Sequence, residues 1–125
     1  MKYDNNIPIY IQLINQLKLN IISGRFKQGQ RLPSVRELAL EMKVNPNTMQ
    51  KALTQLEELK LIYTERTNGK YVTEDIKLIN KLKEQYAKEL SKEYFICMKN
   101  IGFTHEEIID YLKEMEEKNE IIRNN

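Results

Sequence analysis

Residues 32–52, LPSVRELALEMKVNPNTMQKA, hold two consecutive helix starts around a turn, and that arrangement constrains the fold more than any other stretch of the chain. The first start is Ser34-Val35-Arg36-Glu37. This S-x-x-E capping box lets a hydroxyl and a carboxylate satisfy the unpaired backbone N–H groups of the opening turn. Val35, Leu38, Ala39 and Met42 then recur on one helical face. The second start is Asn45-Pro46, an N-cap followed by proline at the first helical position, where its fixed φ fits and its missing N–H costs nothing. Val44 fills the turn and is expected to point inward. Two short helices around such a turn make a helix-turn-helix.

Past the second cap, Met49, Ala52, Leu53, Leu56 and Leu59 form a stripe expected to be buried, which leaves Asn47, Thr48, Gln50, Lys51, Thr54 and Gln55 on the opposite face. That outer face consists of amides, hydroxyls and one ammonium. Asn and Gln pair with adenine edges, Ser and Thr reach bases or phosphates, and Lys binds guanine or phosphate. An ordinary solvated helix face has a similar composition, so this feature alone does not decide between the two.

Two β-branched and aromatic runs follow at once, Leu61-Ile62-Tyr63-Thr64-Glu65 and Lys70-Tyr71-Val72-Thr73, joined across Asn68-Gly69. Asn-Gly predicts a hairpin with a type I′ turn, which needs positive φ at both central residues. A hairpin here is either a plain structural turn or, from its position after the second helix, a wing. Arg66 and Lys70 flank its tip as a small basic finger. Upstream, the spacing predicts a packing helix from Pro8 to Ser23, with Tyr10, Leu13, Leu17 and Ile21 inward and Gly24 as the stop. Lys2 and Tyr3 form a loose tail.

Pro8-Ile9-Tyr10-Ile11-Gln12-Leu13, Ile21-Ile22-Ser23-Gly24, Gly29, Leu32 through Ala39, Val44 through Thr48, Lys51-Ala52-Leu53 and Leu56-Glu57 together closely resemble the N-terminal winged helix-turn-helix of the GntR superfamily of bacterial transcription regulators. The resemblance covers roughly residues 7 to 73. The family's wing reads G-x-G-x-[FY]-V. Here Thr67 stands at the first glycine while Gly69, Tyr71 and Val72 are kept. The resemblance implies a short strand at Arg31-Leu32 that pairs with the wing, and DNA binding through Arg36, Asn45, Asn47, Thr48, Gln50 and Lys51, with Arg66, Asn68, Gly69 and Lys70 on the wing.

About 50 residues follow the wing, too few for a large effector domain, so the chain resembles the short YtrA-like branch, which implies a dimerising pair of helices. The residues agree. From an N-cap at Asp75, Ile79, Leu82, Tyr86, Leu90, Tyr94, Cys97 and Ile101 alternate by three and four along one long helix that ends at Gly102. Thr104-His105-Glu106-Glu107 is a second capping box, and Ile108, Ile109, Leu112 and Met115 give the stripe of a shorter helix before a polar tail, Lys118 to Asn125, expected to fray. A helical pair has one apolar side needing cover. A partner chain supplies it through Ile79, Leu82, Tyr86, Leu90, Tyr94, Ile108 and Leu112, or the pair folds back on the winged domain.

The formal net charge is only +2, yet residues 24 to 51 hold Arg25, Lys27, Arg31, Arg36, Lys43 and Lys51 against Glu37 and Glu41. Residues 76 to 125 carry nine bases and ten acids, so the basic charge gathers on the helix-turn-helix half. No run is long enough to span a bilayer and no signal-peptide pattern occurs, which predicts a cytoplasmic protein. The single cysteine, Cys97, excludes an internal disulfide and is expected in the core. His105 lies in a capping context with no further metal ligands at productive spacing. No phosphate loop, nucleophile elbow or paired-carboxylate arrangement occurs, so no enzyme, metal or cofactor is expected.

The expectation is a mainly α chain with a small β-wing: a winged helix-turn-helix over residues 1–73 and a two-helix dimerisation hairpin over 74–125. As a homodimer it would repress transcription from an inverted-repeat double-stranded DNA operator, any small-molecule effector being left unassigned by the residues. The alternative is a winged helix that binds a protein partner without reading DNA. Such a module would present an apolar or acidic outer helix face, whereas this one is polar with Lys51 and has Arg36 close by.

Overall fold

The computed structural model describes residues 2–118. Its elements are α1 (Ile9–Ile22), α2 (Val35–Glu41), α3 (Pro46–Glu58), β1 (Ile62–Glu65), β2 (Gly69–Val72), α4 (Ile76–Asn100) and α5 (His105–Glu117). This is a winged helix-turn-helix followed by a helical hairpin. The chain divides into two compact units, the first reaching Lys83 and the second beginning at Glu84, so α4 belongs to both.

The first unit is built on Leu13, Leu17 and Ile21 of α1, Leu38 and Ala39 of α2, Met49, Ala52, Leu53 and Leu56 of α3, and Leu61, Ile62 and Val72 of the wing. Ile79 of α4 is buried in the same core, and Leu78 and Leu82 pack against it. Leu13, Met49, Ala52, Leu53 and Val72 have no exposed surface. Truncating such a leucine to alanine typically costs about 2–5 kcal/mol.

Both expected caps of the helix-turn-helix form. The Glu37 N–H donates to Ser34 Oγ at 3.1 Å and the Ser34 N–H donates to Glu37 Oε1 at 3.3 Å. At α3, Asn45 Oδ1 accepts from the Asn47 N–H at 2.7 Å with Pro46 at the first position. The turn between the helices is a Schellman motif. The Lys43 N–H donates to Leu40 O and the Val44 N–H to Ala39 O, with Lys43 at φ +56. Val44 accordingly packs on the core. The end of α3 repeats the device: Lys60 donates to Glu57 O and Leu61 to Leu56 O, with Lys60 at φ +66.

The wing departs from the expected type I′ turn. Glu65 pairs with Gly69, the Asn68 N–H donates to Glu65 O at 3.3 Å, and Asn68 does not have a positive φ. The tip therefore turns at Arg66-Thr67, and only Gly69, at φ +102, takes the left-handed conformation that the Asn-Gly pair was expected to share. Longer hairpin loops of this kind replace the two-residue turn when the strands are spaced to admit them. The Arg31-Leu32 strand appears as a bridge between Arg31 and Tyr71, reinforced by Leu32 N–H to Lys70 O at 2.8 Å and Val72 N–H to Gln30 O at 2.9 Å.

Four further expectations are corrected. Tyr10 is 43% exposed; Ile14 and Asn20 join the buried side of α1 instead. Leu59 is the C-cap of α3 and 40% exposed, because the helix ends before the stripe returns to the core. The N-terminal segment is not loose: Tyr3 Oη donates to Met42 O at 2.6 Å, and the Gln12 side chain holds Asp4 and Ile7. Cys97 is exposed and lies outside the core expected for it.

In the second unit, Thr104 and Glu107 form the expected capping box of α5. Ile108 is fully buried, the Phe95 and His105 rings lie tilted to one another with centroids 5.8 Å apart, and the Phe103 and Tyr111 rings likewise at 6.1 Å. Leu90, Ile96, Ile101, Ile109, Tyr111 and Leu112 stay exposed, Ile101 at 70% and Leu90 at 62%. Lys118 caps α5, and the tail expected to fray lies, from residue 119 on, outside the described residues.

Candidate nucleic-acid interface

The two faces of α3 separate as amphipathicity requires. Its apolar residues enter the core, while Asn47, Gln50, Lys51 and Thr54 are exposed. Thr48 and Gln55 are half-buried, and with Lys51 they line a shallow groove whose other wall is Ile9 and Tyr10 of α1. Thr54 Oγ donates to Gln50 O at 2.9 Å and accepts from Gln50 Nε2 at 3.3 Å, so this amide is steadied on the helix surface. Asn45 spends its side-chain oxygen on the cap and retains its amide NH₂ as a donor. Arg36 is exposed near the start of α2, and among the described residues it has no ion-pair partner.

A groove of about 740 Å³ runs between the start of α2 and the wing, lined by Gln30 through Val35, Glu37 and Thr64 through Lys70. The wing-tip residues Arg66, Thr67, Asn68 and Gly69 are exposed along it. Their spacing with α3 gives one unit a helix of hydrogen-bonding groups beside a hairpin finger.

Lys70 is placed differently from the tip. Strand alternation sends Thr64 and Lys70 to the same side as Ile62 and Val72, which face the core. There Lys70 Nζ donates to Glu57 Oε1 at 2.6 Å and to Thr64 Oγ at 3.0 Å, and Thr64 Oγ donates in turn to Glu57. Only 17% of the Lys70 side chain is exposed. Burial works to raise the Glu57 pKa, but the hydrogen bonds from Lys70 and Thr64 and the Lys70 charge outweigh it and hold the carboxyl below its ordinary value. The opposite side of the hairpin carries Tyr63 stacked on Tyr71 with ring centroids 5.6 Å apart, and Arg31, whose Nε would lie 3.4 Å from a Cβ added at Gly69.

Of the residues expected to dimerise, Ile79 and Leu82 pack in the first unit and Ile108 is buried within the second. Tyr86 and Tyr94 are half-buried, while Leu90 and Leu112 are exposed. Among the described residues, no cluster of His, Cys, Asp and Glu is arranged to hold a metal, and no helix is long and apolar enough to cross a membrane.

Residues 9–72 match the family model "Bacterial regulatory proteins, gntR family". The HTH-type transcriptional repressor YtrA of Bacillus subtilis (strain 168) is 38% identical over 112 residues, covering 89% of this chain and 86% of that protein. A GntR family transcriptional regulator from Listeria monocytogenes superposes with a TM-score of 0.81 at 40% identity, covering 90% of this chain and 98% of the other. The AraR DNA-binding domain in complex with operator ORX1 matches with a TM-score of 0.51 at 27% identity, over 54% of this chain and 81% of that one.

Proposed function

Since the chain belongs to the GntR family of bacterial regulatory proteins, in its short YtrA-like branch, we propose that it is a cytoplasmic repressor that binds an inverted-repeat DNA operator as a homodimer. The observation that carries the DNA reading is the outer face of α3. Asn47, Gln50 and Lys51 are exposed together in a unit whose fold is shared with a domain solved on its operator. In this reading α3 enters the major groove, where Gln and Asn pair with adenine and Lys with guanine. Arg36 and the N-terminal turns of α2 and α3 meet the sugar–phosphate backbone, with Asn45 and Thr48 alongside. Arg66, Asn68 and Gly69 reach the adjoining groove from the wing. A protein-binding module would offer an apolar or acidic face here, and this face has neither.

The dimer reading is supported by the second unit, where Leu90 and Ile96 of α4, Ile101 just after it, and Ile109, Tyr111 and Leu112 of α5 are exposed, while Ile108 is the one buried residue among those described in that unit. Apolar area of this extent is ordinarily covered. A second copy of the chain is the economical cover, because closed two-fold dimers are the commonest homo-oligomers, and the symmetry then passes to the DNA as an inverted repeat. Selection of binding sites from a random duplex library with the purified protein tests the reading. Enrichment of an inverted repeat is the expected result, and failure to enrich any sequence overturns it.

A further inference from the structure

We propose that Lys70 is a positioning residue that holds the wing against the recognition helix, and that Arg31 supplies the basic contact to the DNA backbone at the wing's base. The inference rests on the DNA-binding reading above and moves the basic contact of the wing from Lys70, where the sequence resemblance implies it, to Arg31. Lys70 shares a strand face with Val72, which is fully buried, so although the residue lines the groove beside the wing its ammonium is delivered to α3. There it meets Glu57 at 2.6 Å and Thr64 at 3.0 Å. An ammonium already bonded to a carboxylate and a hydroxyl has little left to offer a phosphate, and freeing it would leave Glu57 without its counter-charge.

Arg31 shows the converse. It pairs with Tyr71 through the backbone bridge, which sets its side chain on the opposite face of the hairpin, over Gly69 and within the groove between the wing and α2. It is exposed, and among the described residues no carboxylate pairs with it. A guanidinium lying beside a glycine that carries no side chain can reach a phosphate along the wing and offers it two parallel N–H donors.

The test is a salt titration. A fluorescein-labelled duplex recovered by selection with the wild-type protein is bound by the wild type and by the variants Lys70→Met, Glu57→Gln and Arg31→Gln over a range of salt concentrations, each variant's melting temperature being recorded alongside. Each lost phosphate contact shallows the slope of log K against log salt by about 0.9 per subunit. Arg31→Gln is expected to shallow it by that step. Lys70→Met and Glu57→Gln are expected to weaken binding about tenfold at unchanged slope, the size expected when one charged hydrogen bond is lost. The reversed pair, Glu57→Lys with Lys70→Glu, is expected to recover most of that loss. Recovery separates positioning from general damage to the fold, because it restores the pair and not the original charge at either position. A slope shallowed by Lys70→Met, an unchanged slope for Arg31→Gln, or a reversed pair weaker than both single variants overturns the inference while leaving the DNA reading intact. A wild-type slope near zero overturns the DNA reading itself, and the inference with it.

Discussion

Lys70 Nζ and Glu57 Oε1 stand 2.6 Å apart and join the second strand of the wing to the last turn of α3. The hairpin is therefore held to the recognition helix by charge as well as by Ile62 and Val72 in the core. The orientation of the wing thus depends on α3, and both elements are proposed to face DNA.

The Glu57 carboxyl pKa is lower in the folded chain than its ordinary value of 4.5. A group of this kind adds stability that is complete above the ordinary pKa and is lost as pH falls through the depressed folded value. Glu57→Gln should lower stability by about 1 kcal/mol at neutral pH, as expected for a partly exposed ion pair. Denaturant melts of both proteins between neutral pH and strong acid should show that gap closing below the ordinary carboxylate range. A gap that stays constant across the range contradicts the assignment.

Lys43 and Lys60 occupy the left-handed position that ends a helix, where a side chain carrying Cβ is strained. Lys43→Gly and Lys60→Gly should each stabilise the chain by roughly 0.5–1 kcal/mol, since the strain relieved exceeds the added entropy of an unfolded glycine. Thermal melting measures this directly, with a raised midpoint expected for both.

Arg36→Ala should cost about 1 to 3 kcal/mol of operator binding. Its melting temperature should not change, because the side chain is exposed and makes no ion pair among the described residues. Fluorescence anisotropy with the selected duplex reads the loss, and binding equal to that of the wild type removes Arg36 from the interface.

Leu90 is 62% exposed on α4. If a second copy covers this surface, Leu90→Glu leaves a carboxylate at an apolar contact and shifts the chain toward monomer. Sedimentation velocity at micromolar concentration should then show the wild type dimeric and the variant monomeric. A monomeric wild type rejects the dimer.

Much of the first unit was legible in the sequence because its signals are local. Ser34 with Glu37 and Asn45 with Pro46 each act within one turn, as Thr104 with Glu107 does in the second unit, and all three caps form. The errors lie where a residue answers to something distant. Tyr10 and Leu59 have the right period, but helix packing leaves both outside the core. The Schellman motifs at Lys43 and Lys60 were missed because lysine is an uncommon residue there, and the signal was the apolar residue that follows, Val44 or Leu61. Sequence order alone places Lys70 near a hairpin tip. Counting two residues back from buried Val72 gives its side, and Glu57, thirteen residues upstream, gives its partner. Tyr3 and Met42 are joined by a hydrogen bond across 39 positions, beyond the reach of any periodicity.

The bridge between Arg31 and Tyr71 also bears on the order in which the protein is made. The N–H groups of Gly29 and Leu32 donate to Val72 and Lys70, residues that leave the ribosome about forty positions later. Helices α2 and α3 carry their own side-chain caps, and with α1 they can assemble as they emerge. The segment between α1 and α2 has to wait, because buried backbone groups need their partners before it can settle. The wing is thus the closing piece of the first unit during synthesis, and a nascent chain halted before it would have a recognition helix and no finished surface on which to hold it.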